Sequence, residues 1–218
     1  IISLNPESPK ICAWQNEIVK ASLAAHTKED QVKEVQRLGN VYEALKRQPD
    51  VKKSTLDECR EATAGSMREL ATIWHREAQK TQNRGTYALA GQLYREYLDR
   101  FSDEKDVYTM RFYYAELLFK LGEVYGKQKY WEGSAEEYTK IVEQDPKGPH
   151  LKEAAYAAVI AWKNALNVQE DAYEKIEGAD SNRAVELAPD LRKMIAAFDT
   201  YLQHVPDAPE RVQILYNK

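Results

Sequence analysis

The residues with most chemistry to offer are two cysteines, Cys12 and Cys59, and four histidines, His26, His75, His150 and His204. A metal site needs three or four such ligands drawn together, usually by short local spacing. The histidines stand far apart, and none has a Cys, His or Asp partner at ligand spacing. Each is read as a surface or helix-capping residue. No nucleophile elbow, phosphate-cradling glycine loop or zinc-helix motif is present. Paired glutamates such as Glu136–Glu137 suit a solvated helix face as well as acid–base work. The expectation is a chain with no catalytic, cofactor-binding or metal-binding residues, and so not an enzyme.

The elements that position these residues follow from composition. The 218 residues are 43% hydrophobic and 30% charged, with 9 Gly and 8 Pro. That charge share exceeds the usual quarter or so, and together with many Ala, Leu and Glu it points to helices with wet outer faces. The formal net charge is −4, without a basic block, so the electrostatic footprint for nucleic acid is missing. No apolar run reaches the ~18 residues that a membrane helix needs. The opening "IISLNPESPK" lacks Met and resembles no signal peptide, and "PERVQILYNK" at the other end reads as a helix barely begun. The chain is expected to be a piece of something longer.

Apolar residues recur at helical spacing throughout. Residues 10–25 carry Ile11, Trp14, Ile18, Ala21 and Ala25 as one stripe, expected to face inward. Thr27, with Asp30 three residues on, is placed to cap the next helix, about 28–47, which carries Val32, Val35, Leu38, Tyr42 and Leu45. Ser54 or Thr55 opens a long helix to about 81, with Leu56, Cys59, Thr63, Met67, Leu70 and Trp74 inward, and "QNRG" ends it. Further helices are expected at about 84–101, 104–127, 131–144, 149–167, 184–204 and 208–218, with strand content near zero. The acidic stretch 168–183 reads as an extended connection.

Three segments repeat. "YREYLDRFSD" begins at Tyr94, "YTKIVEQDPK" at Tyr138 and "FDTYLQHVPD" at Phe198. Each opens on an aromatic, places a large residue three later and reaches Ser102, Pro146 or Pro206 eight later. Four residues before the aromatics stand Ala90, Ser134 and Met194, the first two small. A second element recurs as "LGNVY" at 38–42 and "LGEVY" at 121–125. Self-similar helix pairs mark a solenoid, because a lone helical hairpin cannot bury both its faces. Gly122 and Ser134 would let the two helices of a pair press together, Tyr125 and Tyr138 would fill the space toward the next pair, and Pro146 would stop a helix.

On Leu118, Leu121, Gly122, Tyr125, Ser134, Tyr138 and Pro146, residues 115–148 resemble a tetratricopeptide repeat; Ile141 departs from the family's usual alanine. Residues 71–104 resemble it through Trp74, Ala78, Ala90 and Tyr94, with Ser102 in place of proline, and 149–208 resemble it least. The irregular spacing resembles the tetratricopeptide-like proteins of bacterial envelope assemblies, meaning outer-membrane lipoproteins and scaffolds of secretion or surface motility. The resemblance implies an all-α, right-handed α-solenoid of antiparallel helix pairs with irregular repeat lengths. It would be a single body over 1–218, with N-terminal helices at 10–82 and a further repeat starting at 208–218.

The resemblance also implies a concave groove lined by the first helix of each pair. Phe112, Glu116, Phe119 and Glu123 form a stripe there and are the partner-groove candidates. Phe112 and Phe119 either anchor a partner segment or bury against neighbouring helices, and burial is the preferred reading. Family members that grip a C-terminal carboxylate use Lys and Asn on this face. Phe119 and Glu123 stand there instead, so an acidic tail would be repelled.

If the second helix returns antiparallel between the first and third, Cys12 and Cys59 lie at the same end. A disulfide between them is then feasible. It would close a loop of about 48 residues and add on the order of 3–4 kcal/mol in the chain-entropy model, and it would imply an oxidising compartment. Two free buried thiols are the alternative. The expected function is a non-enzymatic scaffold that binds protein partners in a multi-protein complex of a bacterial envelope. A cytosolic adaptor of the same fold and a recruiting segment of a larger enzyme are the rival readings. RNA binding is disfavoured by the net charge and the missing basic stripe.

Overall fold

A computed structural model describes residues 8, 10–167, 189–207 and 209. These are all-helical, with eight helices and no strand: α1 (Ile11–Ala25), α2 (Lys28–Lys46), α3 (Lys53–Thr81), α4 (Arg84–Arg100), α5 (Val107–Tyr125), α6 (Gln128–Gln144), α7 (Leu151–Ala165) and α8 (Pro189–His204). Two compact units divide them, Ile1–Val107 and Tyr108–Lys218. The stretch expected as a connection, 168–183, and the helix expected at 208–218 lie outside the described residues, apart from position 209.

Helix ends follow local chemistry. Thr27 Oγ1 accepts from the Asp30 amide at 3.3 Å and Asn83 Oδ1 from the Thr86 amide at 2.9 Å, each satisfying an amide that the first helical turn leaves bare. Gln82 closes α3 in the left-handed region at φ 55°. Gly126, at φ +61°, turns the chain from α5 to α6 and donates its amide to the Gly122 carbonyl at 2.8 Å, a conformation glycine adopts without penalty. Pro189 opens α8, where a missing amide costs nothing.

In the first unit α2 buries Val32, Val35, Leu38, Tyr42 and Leu45, the whole of the expected stripe. Gly39 lies where α3 and α4 meet α2: a Cβ there would be 3.1 Å from Met67 and 3.4 Å from Arg100. Along α3, Cys59, Thr63, Met67, Leu70 and Trp74 are buried as expected and Leu56 is half-buried. Ion pairs join elements at the rim, among them Lys28 with Glu77 and Arg60 with Asp103 and Glu104.

The inward face of α1 is not the expected one. Ile11, Cys12, Gln15, Val19 and Ser22 are buried, whereas Ile18 is 42% exposed, Ala21 is exposed and Trp14 is half-buried. Two polar side chains take part in the buried face because they are satisfied there. Gln15 Nε2 donates to the Glu34 carboxylate at 2.9 Å, and Ser22 Oγ donates to the Val19 carbonyl at 2.6 Å. Cys12 and Cys59 are joined by a disulfide, with Cα atoms 5.7 Å apart, which ties α1 to α3.

In the second unit α5, α6, α7 and α8 share one core. It includes Phe112, Ala115, Tyr138, Ile141, Trp162 and Phe198. Helix α7 contributes alanines at 154, 155, 158, 161 and 165, and such short side chains let flanking helices approach closely. Gly122 does what its spacing predicted: a Cβ on it would lie 2.5 Å from the Trp131 ring of α6. Ser134 does more than leave room, since its Oγ donates to the Ala115 carbonyl of α5 at 2.9 Å. Tyr125 differs from expectation. Its ring lies 5.6 Å from Tyr130, at the start of the next helix, and is only half-buried.

The threefold repeat appears as register. Tyr94, Tyr138 and Phe198 are buried, each six residues before the last residue of α4, α6 and α8. Ala90, Ser134 and Met194, one turn earlier, are buried as well. Ser102, Pro146 and Pro206 each stand two residues past the helix end.

Candidate functional site

The face of α5 that the sequence singled out is graded rather than uniform. Phe112 is a core residue, 3% exposed, so it is no anchor for a partner. Its ring stacks on His150 at 3.9 Å and meets Tyr138 edge-on at 5.9 Å. Phe119 is half-buried, edge-on to Trp131 at 4.8 Å. Glu123 is exposed and pairs with Lys120 on its own helix at 2.8 Å. Of the four, Glu116 has the unusual setting.

Helix directions explain that setting. Moving back along α5 from Gly122 through Ala115 to Phe112, the partners on α6 advance from Trp131 through Ser134 to Tyr138. The two helices are therefore antiparallel. Moving forward along α5 from Tyr108 to Phe112, the partners are His150 and its neighbours at the start of α7. The His150 amide donates to Tyr108 Oη at 3.2 Å, and a Cβ on Gly148 would collide with the Tyr108 ring. One turn beyond these contacts stand Glu116 on α5 and Glu153 on α7. The half-buried Glu116 carboxyl is pushed up to about 7, first by burial and then by the Glu153 charge. Tyr138 of α6, 4% exposed, packs edge-on against Phe112. Its phenol is pushed up by burial, then by Glu116 and by Glu153. Glu153 escaped the sequence reading because no groove register was carried into the divergent 149–208 stretch.

The histidines do not meet. His26 is exposed beyond α1, His204 ends α8 and His150 starts α7 against Phe112. His75 corrects the surface reading. It is 4% exposed in α3, edge-on to Tyr87 and Tyr94, with Nδ1 3.3 Å from Tyr94 Oη. Its other nitrogen has no partner among the described residues. Burial pushes it down to about 4. The sequence signal was weak, since a histidine one position from Trp74 on an apolar face could as well have pointed outward.

Among the described residues no group of three or more His, Cys, Asp or Glu could hold a metal ion. No helix among the described residues is long and apolar enough to cross a membrane. These helices define a class, an all-α protein whose described residues fall into two compact helical units. No family model matches the chain, and no curated protein matches it.

Proposed function

We propose that this chain is a non-enzymatic scaffold built of tetratricopeptide-like hairpins in an α-solenoid, holding a segment of a partner protein within a multi-protein complex of a bacterial envelope. The observation that carries the reading is the common register of α4, α6 and α8. Each has the same buried aromatic, the buried residue one turn before it and the stop two residues past its end. Three helices built to one packing rule are what a repeat module needs. The close approach at Gly122 supports the same reading. The Cys12–Cys59 bridge supports an oxidising compartment over the cytosolic alternative.

A photo-crosslinking residue placed at Glu123 or Glu153 of the intact protein, in its own cells, tests this. Discrete protein adducts are expected from those positions and not from Arg95, which is exposed on α4. Absence of protein adducts at both sites would remove the scaffold reading. Thiol titration of the denatured, unreduced protein from the same cells should find neither Cys12 nor Cys59 free. Two free thiols would move the protein to the cytosolic reading.

A further inference from the structure

We propose that the Cys12–Cys59 bridge is a redox switch that sets which face of α1 looks inward. With the bridge formed, α1 buries Val19 and shows an apolar stripe to solvent. With the two thiols free, it turns about its own axis and buries that stripe instead. The inference goes beyond the scaffold reading and stands on the first unit alone.

Helix α1 carries two competing faces. The inward one holds Ile11, Cys12, Gln15, Val19 and Ser22, two of them polar and one engaged in the bridge. The other holds Trp14, half-buried, with Ile18 and Ala21, both exposed, and its one polar atom is the indole nitrogen. Successive helical residues stand about 100° apart, so a turn of about 100° exchanges the two faces, and Ile11 lies between them. Hydrophobic stabilisation scales with the apolar area buried. By that measure an indole and an isoleucine outweigh a valine and a cysteine. Apolar burial alone favours the face that the bridged chain leaves outside.

What holds the observed choice is specific. The bridge pins Cys12 toward α3, with Cα atoms 5.7 Å apart, and so fixes the rotation of α1 about its axis. Among the described residues, the side-chain hydrogen bonds from α1 to another helix run from Gln15 Nε2 to Glu34, at 2.9 Å to the carboxylate and 3.3 Å to the carbonyl. Glu34 also accepts from Arg37 at 2.6 Å, so it keeps a partner when Gln15 leaves, and Gln15 turned outward meets water. Ser22 donates to the Val19 carbonyl of its own helix and keeps that bond in either position. Without the bridge, Gln15 alone opposes the turn, and the balance passes to the Trp14 face.

In the switching step a dithiol reductant gives two electrons and two protons to the S–S bond. Cys12 and Cys59 become thiols and the reductant becomes a disulfide. The oxidised chain displays the apolar stripe, and the reduced chain displays a polar one.

Single-cysteine variants of the intact chain test this without a reductant. Cys59→Ala leaves Cys12 unable to bridge, and Cys12→Ala does the same for Cys59. A turned α1 carries Cys12 away from α3 and into solvent. Iodoacetamide should therefore alkylate Cys12 in folded Cys59→Ala about tenfold faster, or more, than Cys59 in folded Cys12→Ala. Hydroxyl-radical footprinting of Cys59→Ala should find Trp14 and Ile18 oxidised more slowly than in the bridged parent, and Val19 faster. Equally slow alkylation of both cysteines would show that α1 keeps its face without the bridge, and would overturn the switch. Fast alkylation of Cys12 with Trp14 and Ile18 oxidised faster than in the parent would mean that α1 has come away rather than turned, and would overturn it too. Should Cys59→Ala fail to fold, the parent chain, reduced and refolded, is labelled in the same way. A first unit that folds in neither form would make the bridge a plain staple and end the proposal.

Discussion

A buried histidine without a full set of partners makes stability depend on acid. His75 is pushed down from 6.5 to about 4 because its charged form loses water among the Tyr87 and Tyr94 rings. The unfolded chain therefore binds the proton more tightly than the folded one. Stability is complete above pH 6.5, falls as pH drops from about 6.5 to about 4, and is level below that. At ~1.4 kcal/mol per pH unit the loss amounts to about 3 kcal/mol. Urea unfolding of the first unit, followed at pH 7 and pH 4.5, should show it, and His75→Gln should flatten the slope. An unchanged slope would mean that His75 binds its proton equally well in the folded and the unfolded chain.

Two glycines on helices should respond in opposite directions, because their surroundings differ. Gly122→Ala drives a methyl group into the Trp131 ring and should cost about 1–3 kcal/mol as overpacking. Gly65 lies inside α3 with nothing within 4 Å of an added Cβ. Gly65→Ala should therefore gain about 0.5–1 kcal/mol from helix propensity alone. Thermal unfolding of the two variants side by side checks both, and equal shifts would deny that Gly122 marks a helix–helix contact. Ser134→Ala, which removes the hydrogen bond to the Ala115 carbonyl, should cost about 1 kcal/mol. A double-mutant cycle with Gly122→Ala would show whether the two sites along α5 and α6 share one interface.

Across the whole chain the Cys12–Cys59 bridge belongs to one unit, its ends 47 residues apart within Ile1–Val107. Reduction should lower the stability of that unit by about 3–4 kcal/mol, the loop-entropy value for such a separation. Amide hydrogen exchange should register the change across α1 to α3 and leave α6 and α7 protected as before. Uniform loss of protection through all eight helices would show that the two units unfold as one.

Much of the fold was legible because its signals are local. Apolar spacing along α2 and α3, the Thr27 cap, and the aromatic six residues from the ends of α4, α6 and α8 are properties of single helices. Such signals act before any tertiary contact forms. Choices between two acceptable faces were not legible. Helix α1 carries one stripe through Trp14 and Ile18 and another through Cys12, Gln15 and Val19. The second is buried because Glu34 answers Gln15 and Cys59 answers Cys12. Phe112 went to the core through His150, 38 residues on, and the Glu116 carboxyl is raised by burial and by the charge of Glu153, 37 residues on. Helix periodicity says that a residue lies on a face. Which neighbour comes to meet that face depends on segments far along the chain, so tertiary packing alone decided which of these faces was buried.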